Sequence, residues 1–463
     1  MKTRCSYSLV TLIVGFALIF NICSAANSGA LARQSQAPSE TSMLINNVRI
    51  FDGINDQLKQ GNLLIQGSKI SRISATPIPA PPGAQVIDGG GRVLMPGLTD
   101  AHWHMTVAPN SLTSLTDSGL MYANTAAEAR RTLLRGFTTV RDMAGPTFGI
   151  KRAIDSGVIP GPRVYPSGAL ISQTSGHGDY APAWERPKVL GGQPSREEEL
   201  GFYVVADGVP QVLAAVRSQL KQGASQVKLA GGGGVISNYD PLDVTQYSPE
   251  ELRAAVEAAN EWGTYVALHV YTPKAIQQAL EAGVKSIEHG HLADEATIKL
   301  MAAKGAWLST QPWEVSDFGK PAPGQEEKGK PLVGAWQRVL KLARQYKVKV
   351  AFGTDLLFDP EGTYKQNIML TRLAQIYSNT EVLKIATSGN CELFAMSGER
   401  NPYKEARLGV LAEGAWADML LVNGDPTKDI NVLQDYEHNF VVIIKNGTVY
   451  KNTLEQSGAV TNK

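Results

Sequence analysis

"SPEELRAAVEAANEWGTYVALHV", residues 248–270, is a helix that runs into a strand. Ser248 suits a helix cap, Pro249 a first turn, and Glu251 completes a capping box three residues after Ser248. Leu252, Ala255, Val256 and Ala259 recur at helical spacing and give one buried stripe, which Gly263 ends. "TYVALHV" is then a short apolar run that reaches a histidine. The same unit recurs on both sides. "VLMPGLTDAHWH", "FTTVRDMAG", "RVYPSGALIS" and "SQVKLAGGGG" precede it, and "SIEHG", "AWLSTQ" and "VKVAFGTD" follow, with helical stretches between most of them. Eight such β-then-α units predict a (β/α)8 TIM barrel of the α/β class. A doubly wound sheet would carry Gly-x-Gly-x-x-Gly after an early strand, and "GGGGVIS" at 231–237 lies mid-chain and does not fit it. Residues 196–208 and 313–331 read as long loops.

Outside this core the text changes. "MLINNVRIFDG" and "GNLLIQGSKISRISA" near one end, and "WADMLLVNGD" and "FVVIIKNGTVYKN" near the other, are short β runs split by turns. Neither end has strands enough for a stable sheet alone. They are expected to pair as one small β-sandwich module, 43–95 with 402–455, around a barrel at 96–401. A chain of 463 residues with 43% hydrophobic content accommodates both. Met1, Lys2 and Arg4 precede an apolar run and the small residues Ser24, Ala25 and Ala26, which reads as a signal peptide over 1–25. An uncleaved anchor and a lipid on Cys23 are the alternatives. A polar linker, 26–42, follows. The expectation is an exported protein, periplasmic or secreted, with no membrane contact once the leader is removed. A net charge of +1 with no sustained basic block argues against nucleic acid as a partner. Of three cysteines only Cys391 lies beyond the leader, so no internal disulfide forms, and it reads as a core residue of a late helix.

Barrel chemistry sits at the C-terminal ends of the strands. His102 and His104 in "DAHWH" alternate along a strand and share a face, with Trp103 on the other. Further along, the strand ends carry Lys228, His269, His289 and Asp355. Six of the seven histidines lie at strand ends or just after them, His177 and His291 included, and His438 alone lies elsewhere. Imidazole and carboxylate ligands suit zinc or a similar divalent ion. Four histidines and Asp355 exceed the needs of one ion, so a pair of ions is expected. His269 taken alone is also compatible with a buried strand residue. Lys228 is out of place beside cations and reads most simply as a salt-bridged lysine. Arg141 is expected to pair with Asp142.

"DAHWH", "VKLAGGGG", "ALHV", "IEHG" and "GTD", in that order on eight β/α units, resemble the metal-dependent amidohydrolase superfamily over about residues 43–455. "GALISQTSGHGDY", "VADGVPQV" and "YSPEELRAAVEAA" are similar to its imidazolonepropionase-like and Xaa-Pro dipeptidase-like branch, which includes ochratoxin-hydrolysing amidohydrolases. The resemblance implies that His102 and His104 bind one ion with Asp355, and that His269 and His289 bind a second. Lys228 is implied to carry a carboxylate derived from CO2, an anionic bridge between the ions. His291, the second histidine of "EHGH", departs from the pattern; by alignment to the motif His289 is the ligand, and His291 is expected to support the site or serve structure.

The implied activity is hydrolysis of a small-molecule amide or dipeptide substrate by a hydroxide bridging two divalent ions, expected to be Zn2+. Asp355 would move the proton to the leaving amine or serve as ligand only. His177 would donate to the carbonyl oxygen or merely pack its loop. Gly232 and Gly233, within 231–234, would let backbone approach the substrate or make a plain turn. The resemblance also implies that Tyr271 holds a substrate carboxylate, and that the chain forms a homo-oligomer. Carboxypeptidase-like release of an amino acid is the leading expectation, N-acyl aromatic amino acids such as ochratoxin A included. A cyclic-amide or general N-acyl hydrolase is the alternative, and a non-catalytic scaffold a third.

Overall fold

The computed structural model describes residues 41–314, 317 and 324–454. The expected leader and nearly all of the expected linker lie outside the described residues. Five strands come first: β1 (Ser42–Ile50), β2 (Lys59–Gln66), β3 (Lys69–Ser74), β4 (Gln85–Asp88) and β5 (Val93–Pro96). Ten follow through the middle of the chain. They are β6 (Leu98–Trp103), β7 (Phe137–Asp142), β8 (Arg163–Pro166), β9 (Leu170–Ser172), β10 (Tyr203–Val205), β11 (Val227–Ala230), β12 (Val266–Val270), β13 (Ser286–His289), β14 (Trp307–Thr310) and β15 (Val350–Phe352). The last three are β16 (Met419–Val422), β17 (Phe440–Lys445) and β18 (Thr448–Asn452).

The two ends of the chain do share a sheet. Its order is β18-β17-β16-β5-β1-β2-β3, with β4 added on β1. The joint is the antiparallel pairing of β5 with β16, which sets Leu94 opposite Leu421. By hydrogen bonding this is one eight-stranded sheet rather than two separate ones. Ile45, Ile65 and Leu94 from one end and Met419, Leu421 and Ile444 from the other bury into a single core.

The middle strands are parallel, as β-then-α repeats require, and form two ladders, β6-β7-β8 and β10-β9-β11-β12-β13-β14-β15. The third repeat explains the first break. Its single apolar run is split at Ser167–Ala169, where Gly168 takes a positive φ of 73°. The chain therefore leaves the β7 ladder as β8 and joins the β11 ladder as β9. At the second break β15 meets β6 mostly through side chains. Asn390 accepts from the Phe352 amide at 2.9 Å and donates to the carbonyls of Phe352 and Thr99 at 2.9 and 3.1 Å. Asp100 accepts from the Thr354 amide and hydroxyl, and the Asp355 amide donates to the His102 carbonyl at 2.8 Å. The strands thus follow the (β/α)8 order with two seams stitched outside the ladders.

The opening helix forms as Pro249–Glu261, with both halves of its capping box made. Leu252, Ala255, Val256 and Ala259 are buried, as are Trp103, Leu268 and Phe352 of the same core. Two expectations about loops need correcting. Residues 196–208 hold a helix, Arg196–Leu200, and the edge strand β10, parallel to β9. Residues 313–331 include the short helix Gln325–Gly329. Both elements were too short to show a period in the sequence. Cys391 is a buried free thiol on the helix Asn390–Ala395, and burial pushes it well above its ordinary pKa.

Candidate active site

The ends of β6, β11, β12, β13 and the segment after β15 converge. His102 and His104 rings lie 5.3 Å apart, and His102 and His289 4.9 Å. Asp355 joins them: its Oδ1 is 2.9 Å from His104 Nε2 and 3.5 Å from His102 Nε2, and its Oδ2 is 3.8 Å from His289 Nδ1. One ligand atom from each of His102, His104 and Asp355 fits within 4.8 Å of the others. Lys228 Nζ is 3.1 Å from His102 Nε2. Burial brings the Lys228 ammonium down to about 8, against the opposing pull of Glu288 and Asp355. Burial also holds His102, His269 and His289 well below the ordinary imidazole range, so they are neutral at pH 7. Burial alone would raise Asp355, but His102, His104 and Lys228 outweigh it and keep the carboxylate ionised.

The rings of His102, His269 and His289 are each held by an oxygen behind them. His102 Nδ1 donates to Glu288 Oε2 at 2.8 Å, which leaves the Nε2 lone pair facing Asp355 and Lys228. His269 Nε2 donates to the Gly233 carbonyl at 3.1 Å, leaving Nδ1. His289 Nδ1 lies 2.7 Å from Gln311 Oε1, leaving Nε2. A carbonyl oxygen only accepts, so these contacts fix the tautomers. Neutral imidazoles with one lone pair free, around an ionised carboxylate, are the donor set a divalent ion takes. His104 Nδ1 and His291 Nδ1 are buried with no partner among the described residues.

Glu288 is the residue that the sequence reading missed. It sits one position before His289, and both its oxygens accept from Arg141 Nη2 at 2.7 and 2.9 Å. Arg141 is wholly buried and also donates to the Ala101 carbonyl at 2.6 Å. The expected Arg141–Asp142 pair is therefore wrong. Neighbours on a strand point to opposite faces, and Asp142 instead accepts from the Met105 amide at 2.8 Å. Burial pushes Asp142 up to about 7.

His177 stacks on His269 at 3.7 Å, with 10° between the rings. Its Nδ1 is 2.8 Å from Ser237 Oγ and 3.5 Å from Asp240 Oδ2. The Ser237 hydroxyl can donate to or accept from Nδ1, whereas the Asp240 carboxylate only accepts, so these contacts do not fix the His177 tautomer. Tyr271 is buried against His269 and His289, at 5.0 and 5.1 Å between centroids. His291 donates through Nε2 to the Gln311 carbonyl at 2.9 Å and lies parallel to Trp313, 4.8 Å away. Packing accounts for three of the glycines 231–234, Gly231 lying against the Leu268 side chain. A Cβ at Gly233 would fall 1.9 Å from the Pro241 carbonyl oxygen, and one at Gly234 would fall 1.9 Å from His177 Nδ1. At Gly232 the nearest atom would be 3.5 Å away. His438 stays apart, on the exposed turn of Tyr436–Asn439 beside Asp435.

Residues 93–451 match the Amidohydrolase family. The chain belongs to that family. Ochratoxinase from Aspergillus niger is 34% identical over 367 residues, 74% of this chain and 72% of that protein. The solved A. niger ochratoxinase aligns over 89% of this amidohydrolase and 96% of its own chain, with a TM-score of 0.77 and 30% identity. A prolidase complexed with N-methylphosphonate-L-proline gives 0.82 and 32%, covering 89% of this chain and all of that one. A Xaa-Pro dipeptidase with bound methionine gives 0.76 and 28% over the same shares. The protein is thus a hydrolase of amide bonds. Amidohydrolases depend on metal, and His102, His104 and Asp355 offer this one a site. Two of its site residues, His289 at φ 72° and Asp355 at φ 54°, hold the left-handed backbone that side chains disfavour. Such strain collects at functional sites, where the surroundings enforce it.

Proposed function

We propose that this amidohydrolase is an exported binuclear zinc enzyme that releases a C-terminal amino acid from an amide, in carboxypeptidase or dipeptidase fashion. The observation that carries the reading is the convergence of four neutral or partnered imidazoles, Asp355 and a buried lysine on one spot. His102, His104 and Asp355 would hold one ion, and His269 and His289 the other. Lys228, with its amine brought down to about 8, has an appreciable neutral fraction at pH 7. The neutral amine is the form that takes up CO2, and the resulting carboxylate would bridge the ions. The ions, when bound, activate water and polarise the scissile carbonyl.

The chain's own groups supply the rest. Asp355 accepts the proton of the attacking water and passes it to the leaving amine. His177 donates from Nε2 to the carbonyl oxygen as charge develops. Tyr271, against both His269 and His289, donates to the carboxylate of the departing amino acid. The substrate class follows from the relatives named ochratoxinase, prolidase and Xaa-Pro dipeptidase: N-acyl amino acids, with ochratoxin A among them. The basic start and apolar run of residues 1–25 support export to the periplasm or medium, and the family resemblance supports a homo-oligomer.

A panel of N-acyl amino acids against their own amides and methyl esters tests the reading. A charge-assisted hydrogen bond contributes about 1.5–3 kcal/mol, so free acids should be preferred by roughly 10- to 150-fold in kcat/KM. Tyr271→Phe should narrow the gap by slowing only the free acids. Equal rates would overturn the carboxylate requirement and leave a cyclic-amide or general N-acyl hydrolase. Elemental analysis should find close to two divalent ions per chain, and full activity with one would overturn the binuclear assignment.

A further inference from the structure

The turn that holds His177 is itself held from across the barrel mouth. Residues 233–240 follow β11 and contain neither helix nor strand. Within the turn the Gly234 amide donates to Asp240 Oδ2 at 2.7 Å. Further ties come from outside. Ser175 Oγ donates to the Tyr239 carbonyl, and Gln325 Nε2 to the Ile236 carbonyl. The largest share falls to one side chain. Lys328, on the short helix Gln325–Gly329 after β14, donates to the carbonyls of Gly234, Ser237 and Asp240 at 3.0, 2.7 and 3.0 Å. An ammonium has three N–H donors, and here each has its own carbonyl. Asp240 Oδ1 lies 3.7 Å from the same nitrogen.

Those three carbonyls belong to the residues that touch His177. Ser237 Oγ and Asp240 Oδ2 face its Nδ1, and Gly234 lies so close to the ring that a side chain there would overlap it. The position of the turn is therefore the position of the imidazole. We propose that Lys328 is a positioning residue: it fixes the 233–240 turn from the opposite loop, and thereby sets the direction of His177 Nε2. The proposal rests on the reading of His177 as the donor to the carbonyl oxygen.

Lys328→Met keeps the stem and removes the ammonium, and Lys328→Arg restores a charge and donors. Two measurements on the full-length, metal-loaded enzyme decide the matter. The first is hydrogen exchange of the peptide covering 233–240, which needs no substrate. Exchange should quicken in Lys328→Met and return toward wild type in Lys328→Arg. Unchanged exchange in Lys328→Met overturns the clasp. The second is kinetics on the fastest N-acyl amino acid of the panel above. Displacement of about 1 Å in a catalytic group is enough to cost roughly 100-fold, so Lys328→Met should lose 10- to 100-fold in kcat with little change in KM and metal content. Combined with His177→Ala, it should cost nothing more than His177→Ala alone. An impaired His177→Ala beside a fully active Lys328→Met, or full additivity of the two, overturns the positioning role only. A fully active His177→Ala overturns that role together with the reading of His177 on which it rests.

Discussion

At Glu288 one carboxylate serves two ends of the site. Its Oε2 fixes the tautomer of His102, and both oxygens neutralise Arg141, which has no exposed surface. Glu288→Gln keeps the shape and removes the charge. Leaving a buried guanidinium without its counter-ion costs about 3–5 kcal/mol, and losing a ligand's supporting partner costs about 10- to 100-fold in metal affinity. Urea denaturation and metal titration of the variant should show both losses. An unchanged affinity would mean that His102 is oriented by something else. The histidines and Asp355 were legible because their types and spacing suit a metal, whereas the role of Lys228 entered only through the family resemblance. Glu288 and Arg141 were not legible, because a residue that supports a ligand has no signature of its own. Its partner is chosen by tertiary packing, which brings Arg141 of β7 and Glu288 of β13 together.

The seam between β15 and β6 is where an element depends on single residues. Gly353 lies against His102, and a Cβ there would stand 2.6 Å from the His102 backbone nitrogen and 2.5 Å from its Cβ. Backbone at that distance cannot step aside, so Gly353→Ala should cost about 1–3 kcal/mol through overpacking. It should also separate His102 from Asp355, which follows two residues later. The expected result is a lowered melting temperature together with a lost metal site, measured on the same preparation. A variant that melts lower yet binds metal normally would show that the seam and the site are independent. Eight apolar runs and one capping box were enough to order the strands, because periodicity reports burial directly. The split of the third run into β8 and β9, the edge strand β10 and the Asn390 stitch were not readable. Each is decided by tertiary hydrogen bonds on segments of three or four residues.

For the molecule as a whole the site is a source of pH dependence. His102, His269 and His289 lie well below their ordinary pKa and His291 falls to about 4, all through burial. In the metal-free protein these four stay neutral below pH 6.5 while their unfolded counterparts take up protons, so stability is lost as pH falls through 6.5. Asp142, up at about 7, and Asp100, also raised by burial, are protonated first in the folded state and oppose this. Four depressed imidazoles outnumber two raised carboxyls, so the metal-free protein should lose stability as pH falls from 7 through the ordinary imidazole range. Denaturation of the metal-free protein at pH 7.0 and 5.5 should show that loss, and equal midpoints would refute the burial of neutral imidazoles. The pairing of Leu94 with Leu421 has a different consequence, in the order of synthesis. A nascent chain has every candidate ligand, Asp355 included, before the ribosome has made β16. Until then β5 offers the apolar Val93, Leu94 and Met95 along an unpaired edge, a template for aggregation and a target for chaperones. Translation that stops after Asp355 thus yields a chain with every candidate ligand and an open seam beside the first of them.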